Sequence, residues 1–176
     1  NSPNDLANYP NTLTIDLKML EKVKCDIVYN PPANDLYTQG ETAKSYDFGS
    51  LATAMEGEFR PGHFNGMATV IEKLLNIINP TIAFFGQKDL QQLYIVKDLV
   101  KQMQSATVIK GVETVREESG LAKSSRNKLL SESAKKEASL IYNCLSYCQK
   151  NKEKGEDKLK LHIQKQFLKQ KNFTLE

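Results

Sequence analysis

Thr81-Ile82-Ala83-Phe84-Phe85-Gly86-Gln87-Lys88-Asp89 is a β-prone run closed by a glycine and followed by one cation and one anion. The Thr81 to Phe85 part is too short for a helix and rich in β-branched and aromatic side chains, which predicts a buried strand. Upstream, Met67, Val70, Ile71, Leu74, Leu75 and Ile78 recur at helical spacing, and Asn79-Pro80 ends that helix. Downstream, Leu90, Leu93, Val96, Leu99, Val100 and Met103 mark a second helix, and Ala106 to Gly111 reads as the next strand. A helix, strand, helix, strand order with short loops predicts an α/β fold with parallel strands and right-handed crossovers. Ligands bind beyond the carboxyl ends of such strands, which is where Gly86 to Asp89 falls.

The flanks extend the pattern. Leu13, Leu17, Leu20 and Val23 predict a helix over Thr12 to Lys24, and Cys25-Asp26-Ile27-Val28-Tyr29 a short buried strand stopped by Asn30-Pro31-Pro32. Ala33 to Glu58, with Gly40, Gly49 and Gly57, reads as loop with short helical pieces. Ser131 is a helix cap with Glu132 in the first turn, and Ala134, Ala138, Ile141, Leu145 and Cys148 form a helical face to about Gln149. Asn151 to Asp157 is a charged linker around Gly155. Lys158 to Lys169 is an amphipathic helix with Leu159, Ile163 and Phe167 inside and His162 on its solvated face. Thr174-Leu175-Glu176 reads as the start of a strand.

With 176 residues, 40% of them hydrophobic and 26% charged, the chain makes one large domain or two small ones. The net charge of +3 is local: Ser146 to Glu176 holds eight lysines against four acidic residues. Cys25, Cys144 and Cys148 are an odd set without framework spacing, which suggests a reducing, cytoplasmic setting. Cys144 and Cys148 read as small apolar residues on a helix rather than half a metal site. No apolar run approaches the roughly 20 residues that span a bilayer. Neither a signal peptide nor a starting Met precedes Asn1-Ser2-Pro3, so the chain reads as entered partway through a gene product.

The second informative stretch is Val115 to Asn127, Val-Arg-Glu-Glu-Ser-Gly-Leu-Ala-Lys-Ser-Ser-Arg-Asn. Lys123, Ser124, Ser125 and Arg126 are consecutive. A triphosphate needs such a surface, with cations to offset its charge and hydroxyls and main-chain N–H groups for its oxygens. Taken singly, Lys-Ser-Ser-Arg is an ordinary exposed loop. Brought together with Gly86-Gln87-Lys88-Asp89, it is a nucleotide site.

Three motifs in order carry a resemblance. Arg60-Pro61-Gly62-His63-Phe64-Asn65-Gly66, then Phe84-Phe85-Gly86-Gln87-Lys88-Asp89-Leu90-Gln91-Gln92-Leu93, then Val115-Arg116-Glu117 through Lys123-Ser124-Ser125-Arg126-Asn127, closely resemble the pantothenate synthetase (pantoate–β-alanine ligase) family. Tyr9-Pro10-Asn11-Thr12 with Asp16-Leu17 also looks like that family. The resemblance implies a Rossmann-like nucleotide-binding domain related to class I nucleotidylyltransferases, incomplete over 1–111, and part of a smaller α+β C-terminal domain over 112–176. It further implies a two-step reaction on ATP in which pantoate is adenylated and β-alanine then displaces AMP. Lys88, Ser124, Ser125 and Arg126 would hold the phosphates as catalytic residues, with Gly86, Gln87, Asp89, Val115 and Lys123 completing the ATP site. Gly86 would allow close backbone approach, Asp89 would accept from the ribose hydroxyls, and Val115 would meet adenine. Gln92 would bind pantoate, with Arg60 and His63 on a substrate carboxylate. Asp16 would help to hold Mg²⁺, or else is an acidic residue favoured by the helix dipole.

Two departures stand out. Lys123 replaces the family's usual Met, which makes the loop look more like the Lys-Met-Ser-Lys-Ser loop of class I aminoacyl-tRNA synthetases. The family's His-x-Gly-His and Asn-Pro-x-Gln-Phe motifs do not occur in the chain, so the resemblance implies nucleotide binding without turnover. The family's habit implies a homodimer, small-molecule substrates, and neither nucleic acid nor membrane as partner. The alternative from another class is a non-catalytic nucleic-acid-binding module using the Lys-rich C-terminal segment. Its small charge excess and lack of interleaved aromatics weigh against it.

Overall fold

The structure is a computed structural model that describes residues 12–37, 40–170 and 173. Tyr9-Pro10-Asn11 and the expected strand start at Thr174-Leu175-Glu176 lie outside the described residues. By contacts the chain divides into two units, Asn1–Glu113 and Thr114–Glu176.

In the first unit, α1 (Leu13–Lys22) and α2 (Ala33–Leu36) precede a 3₁₀ turn, Gly49–Ala52, and α3 (Glu56–Phe59). Helix α4 (His63–Ile78) stops at Asn79, whose left-handed φ of +45° turns the chain into Pro80. Strand β1 (Ile82–Gly86) leads through a 3₁₀ turn at Gln87–Asp89 into α5 (Leu90–Gln102), and α5 returns the chain to β2 (Val108–Val112). The strands are parallel, with Ile82 opposite Val108 and Gly86 opposite Val112. Parallel neighbours need a crossover of this kind, and α5 is it.

The apolar stripes of α4 and α5 meet in one core of Phe48, Phe64, Ala68, Ile95 and Leu99, against which Met67, Ile71 and Met103 pack. Each fully buried large side chain contributes about 1.5–3 kcal/mol. Ile95 is off the stripe read from sequence yet is fully buried. Helix α5 is covered on more than one side, by the core and by the sheet.

Two expectations require correction in this unit. Cys25 to Tyr29 is not a strand, and Ile27 is 83% exposed. A strand exists only through a partner's ladder, and among the described residues β1 and β2 pair only with each other. Strand β1 is not buried on both faces: Ala83 and Phe85 are half-buried, whereas Ile82 and Phe84 are exposed. The helix expected over Thr12 to Lys24 is α1, which has no buried residue.

In the second unit, Arg116 and Ala122 make an antiparallel bridge. A 3₁₀ turn at Ser125–Leu129, α6 (Glu132–Lys150), a turn at Lys152–Lys154 and α7 (Glu156–Phe167) follow. The Ser131 hydroxyl accepts from the Ala134 N–H at 3.2 Å, the expected cap. The buried side of α6 runs through Ala138 and Cys144, while Ile141 and Leu145 are exposed. Gly120, at φ +84°, lies against Tyr142. His162 is not on a solvated face: its ring stacks on Tyr147 at 3.7 Å.

Candidate functional site

The end of β1 presents Gly86, whose missing Cβ would meet nothing within 4 Å, so its backbone is open to close approach. The adjoining turn holds Lys88 and Asp89 3.6 Å apart and both largely exposed. Asp89 flanks α5 without capping it, so its carboxylate is not used by the helix. Gln87 is engaged differently. A Cβ at Gly111 would stand 3.2 Å from the Gln87 side chain and 3.0 Å from Leu93, so Gln87 packs on β2 where only glycine leaves room. Gln92 is half-buried in the first turn of α5.

Arg60 and His63 gather round one carboxylate. Glu56 pairs with the Arg60 guanidinium, and its Oε1 lies 3.8 Å from His63 Nε2. Burial, then the Arg60 charge, lowers the His63 pKa against the upward pull of Glu56. Sequence reading missed the residue that ties this group to the sheet end. Gln91 donates from Nε2 to the Leu51 and Ala54 carbonyls and accepts the Glu56 N–H. A second group straps the preceding segment onto α4: Tyr46 donates to Glu72, which Lys44 meets at 2.9 Å. Burial and this acceptor push the Tyr46 hydroxyl up to about 12.

In the second unit, Lys123 N–H bonds Val115 O at 2.9 Å, which sets those two expected ATP contacts side by side. Ser124 accepts the Arg126 N–H at 3.2 Å and so caps the turn that carries Ser125 and Arg126. Its O–H remains a donor. Asn127 fixes the same turn by donating to the Ala122 carbonyl at 3.0 Å. Arg116 is structural: it donates to the Gly120 carbonyl and lies 4.4 Å over the Tyr142 ring. An open cavity of about 380 Å³ adjoins Ser124, lined also by Glu117, Ser119, Leu121, Asn127, Lys128 and Lys135. The expected site residues thus form two groups, one in each unit.

Asp16 lies in the first turn of α1 and accepts from the Thr12 hydroxyl at 2.9 Å. Among the described residues no group of three or more His, Cys, Asp or Glu could hold a metal ion, and no helix is long and apolar enough to cross a membrane. In the Lys-rich C-terminal segment, Lys154 lies over the Tyr147 ring and Lys160 pairs with Glu156.

The family profile described as pantoate–beta-alanine ligase matches residues 1–176. The chain belongs to that family. It is 47% identical over 145 residues to the pantothenate synthetase of Christiangramia forsetii, covering 82% of this chain and 51% of that one. Against the Flavobacterium psychrophilum pantothenate synthetase it is 42% identical over 151 residues, covering 85% of this chain and 54% of that one. The chain therefore spans about half the length of these curated relatives. The crystal structure of Thermus thermophilus pantothenate synthetase superposes with a TM-score of 0.90 and 32% identity, covering 98% of this chain and 63% of that one. The Francisella tularensis pantoate–beta-alanine ligase, solved with an ATP species and beta-alanine, gives 0.81 and 36% over 94% of this chain and 62% of that one. The fold is the Rossmann-like α/β fold of these ligases, and the enzyme class of the family is that of an acid–amine ligase.

Proposed function

We propose that the chain carries the nucleotide- and pantoate-binding parts of an ATP-dependent pantoate–β-alanine ligase. The observation that carries this is Gly86-Gln87-Lys88-Asp89 at the carboxyl end of a parallel strand, with Lys88 and Asp89 open to a ligand. In the reaction, the pantoate carboxylate attacks the α-phosphate of ATP to give pantoyl-adenylate and pyrophosphate. The β-alanine amine then attacks the activated carbonyl and AMP leaves. What such a site supplies is positioning and charge neutralisation.

Lys88 and the Lys123-Ser124-Ser125-Arg126 turn neutralise the phosphates, Gly86 and Gln87 shape the approach to the strand end, and Asp89 receives the ribose hydroxyls. Val115 meets adenine, Gln92 holds pantoate, and Arg60 with His63 holds a carboxylate. Asp16 is the carboxylate that would join the ATP phosphates in holding Mg²⁺. The domains assigned are 1–111 for nucleotide and substrate and 112–176 for the C-terminal part. The protein works in the cytoplasm as a homodimer.

Calorimetry with ATP on the 176-residue chain and on Lys88→Ala and Arg126→Ala tests this. Each substitution weakens binding about tenfold, the loss of one charge-assisted contact. A wild-type chain that ignores ATP, or binding indifferent to both substitutions, would sink the assignment.

A further inference from the structure

We infer that Gln91 is a positioning residue, setting the Arg60–His63 pair at the head of α5 through the turn that leads into Glu56. The inference rests on the assignment of that pair to a substrate carboxylate. Gln91 stands in the first turn of α5, two residues beyond Asp89. Its Nε2 donates to Leu51 O at 2.7 Å and to Ala54 O at 2.8 Å, while its Oε1 accepts from Glu56 N at 3.3 Å. Two donors meet two carbonyls and the acceptor meets an N–H; turned over, the amide would lose all three contacts, so the network settles its orientation.

The turn that Gln91 holds is one the backbone resists. Met55 adopts φ +50°, a region that side chains other than glycine avoid and that persists only where the surroundings over-determine it. Two residues on, Gly57 is pressed so closely onto Ala52 that a Cβ there would stand 2.2 Å from the Ala52 carbonyl oxygen. The Glu56 N–H opens a helix and has no acceptor within it; Gln91 provides one. Glu56 then passes the constraint outward, since its carboxylate holds Arg60 and faces His63. Gln91 thus couples the helix that begins at Leu90 to the pair assigned to the carboxylate, acting through Glu56.

The test follows the imidazole resonances of the 176-residue chain against pH, where His63 and His162 are the two histidines present. In Gln91→Met, which keeps the length and removes the amide, the His63 midpoint rises toward the ordinary histidine value as burial is relieved. Pantoate affinity falls about tenfold alongside. An unmoved His63 overturns the inference. A wild-type chain that binds no pantoate, while His63 still responds to Gln91→Met, leaves the positioning intact and removes the carboxylate assignment. If Gln91→Met does not fold, amide exchange of Glu56 in the wild type decides: protection supports the clamp, and exchange at the free-peptide rate overturns it.

Discussion

Gly57→Ala is the sharpest probe of the turn beneath Arg60 and His63. The added methyl would lie 2.2 Å from the Ala52 oxygen and 2.6 Å from its carbon, more than an ångström inside ordinary contact. Backbone, not a flexible side chain, has to yield. It cannot retreat freely, because the Gln91 amide holds the Leu51 and Ala54 carbonyls on either side of Ala52. Overpacking of this kind costs about 1–3 kcal/mol. Loss of the two Gln91 donations adds about 1 kcal/mol each, and the better helix propensity of Ala returns up to about 1 kcal/mol. The net loss is about 2–5 kcal/mol, a large part of the stability of a small domain. Urea denaturation, read through amide exchange of the buried Ile95, Val96 and Leu99 of α5, reports on the first unit alone. A double-mutant cycle with Gln91→Met should be strongly non-additive, since both changes release one turn. A loss below about 0.5 kcal/mol would show that the turn adapts and would refute the reasoning.

Two further outcomes follow from the same geometry. The Tyr46 hydroxyl is raised from 10.0 to about 12, so its contribution to stability is complete below pH 10 and is lost as pH rises through 12. Tyr46→Phe should therefore melt lower at neutral pH, by about 1 kcal/mol, and the gap to wild type should close between these pH values; a gap constant with pH contradicts the assignment. Gly120→Ala forces a Cβ to within 2.1 Å of Tyr142 at a φ of +84°, and should cost about 1–3 kcal/mol in the second unit; exchange of the Ala138 amide on α6 measures it, and unchanged protection would contradict the packing.

Sequence alone determined the α4, β1, α5, β2 order, the stop at Asn79-Pro80 and the Ser131 cap. Those signals are local: an apolar period, a residue that ends a helix and a hydroxyl two or three residues from the N–H it accepts. The motifs at Gly86 to Asp89 and Lys123 to Asn127 were legible for the same reason, since each is consecutive in the chain. Only the tertiary structure decided what depends on distant partners. Cys25 to Tyr29 has strand composition but no neighbour's ladder among the described residues, and composition cannot supply a partner. Gln91 reads as one more polar residue on a helix, yet it bonds a carbonyl 40 residues away. His162 sits among lysines in sequence and against Tyr147 in space. Sequence patterns record which face a residue occupies along its own element; the packing of elements from distant parts of the chain decides what that face meets.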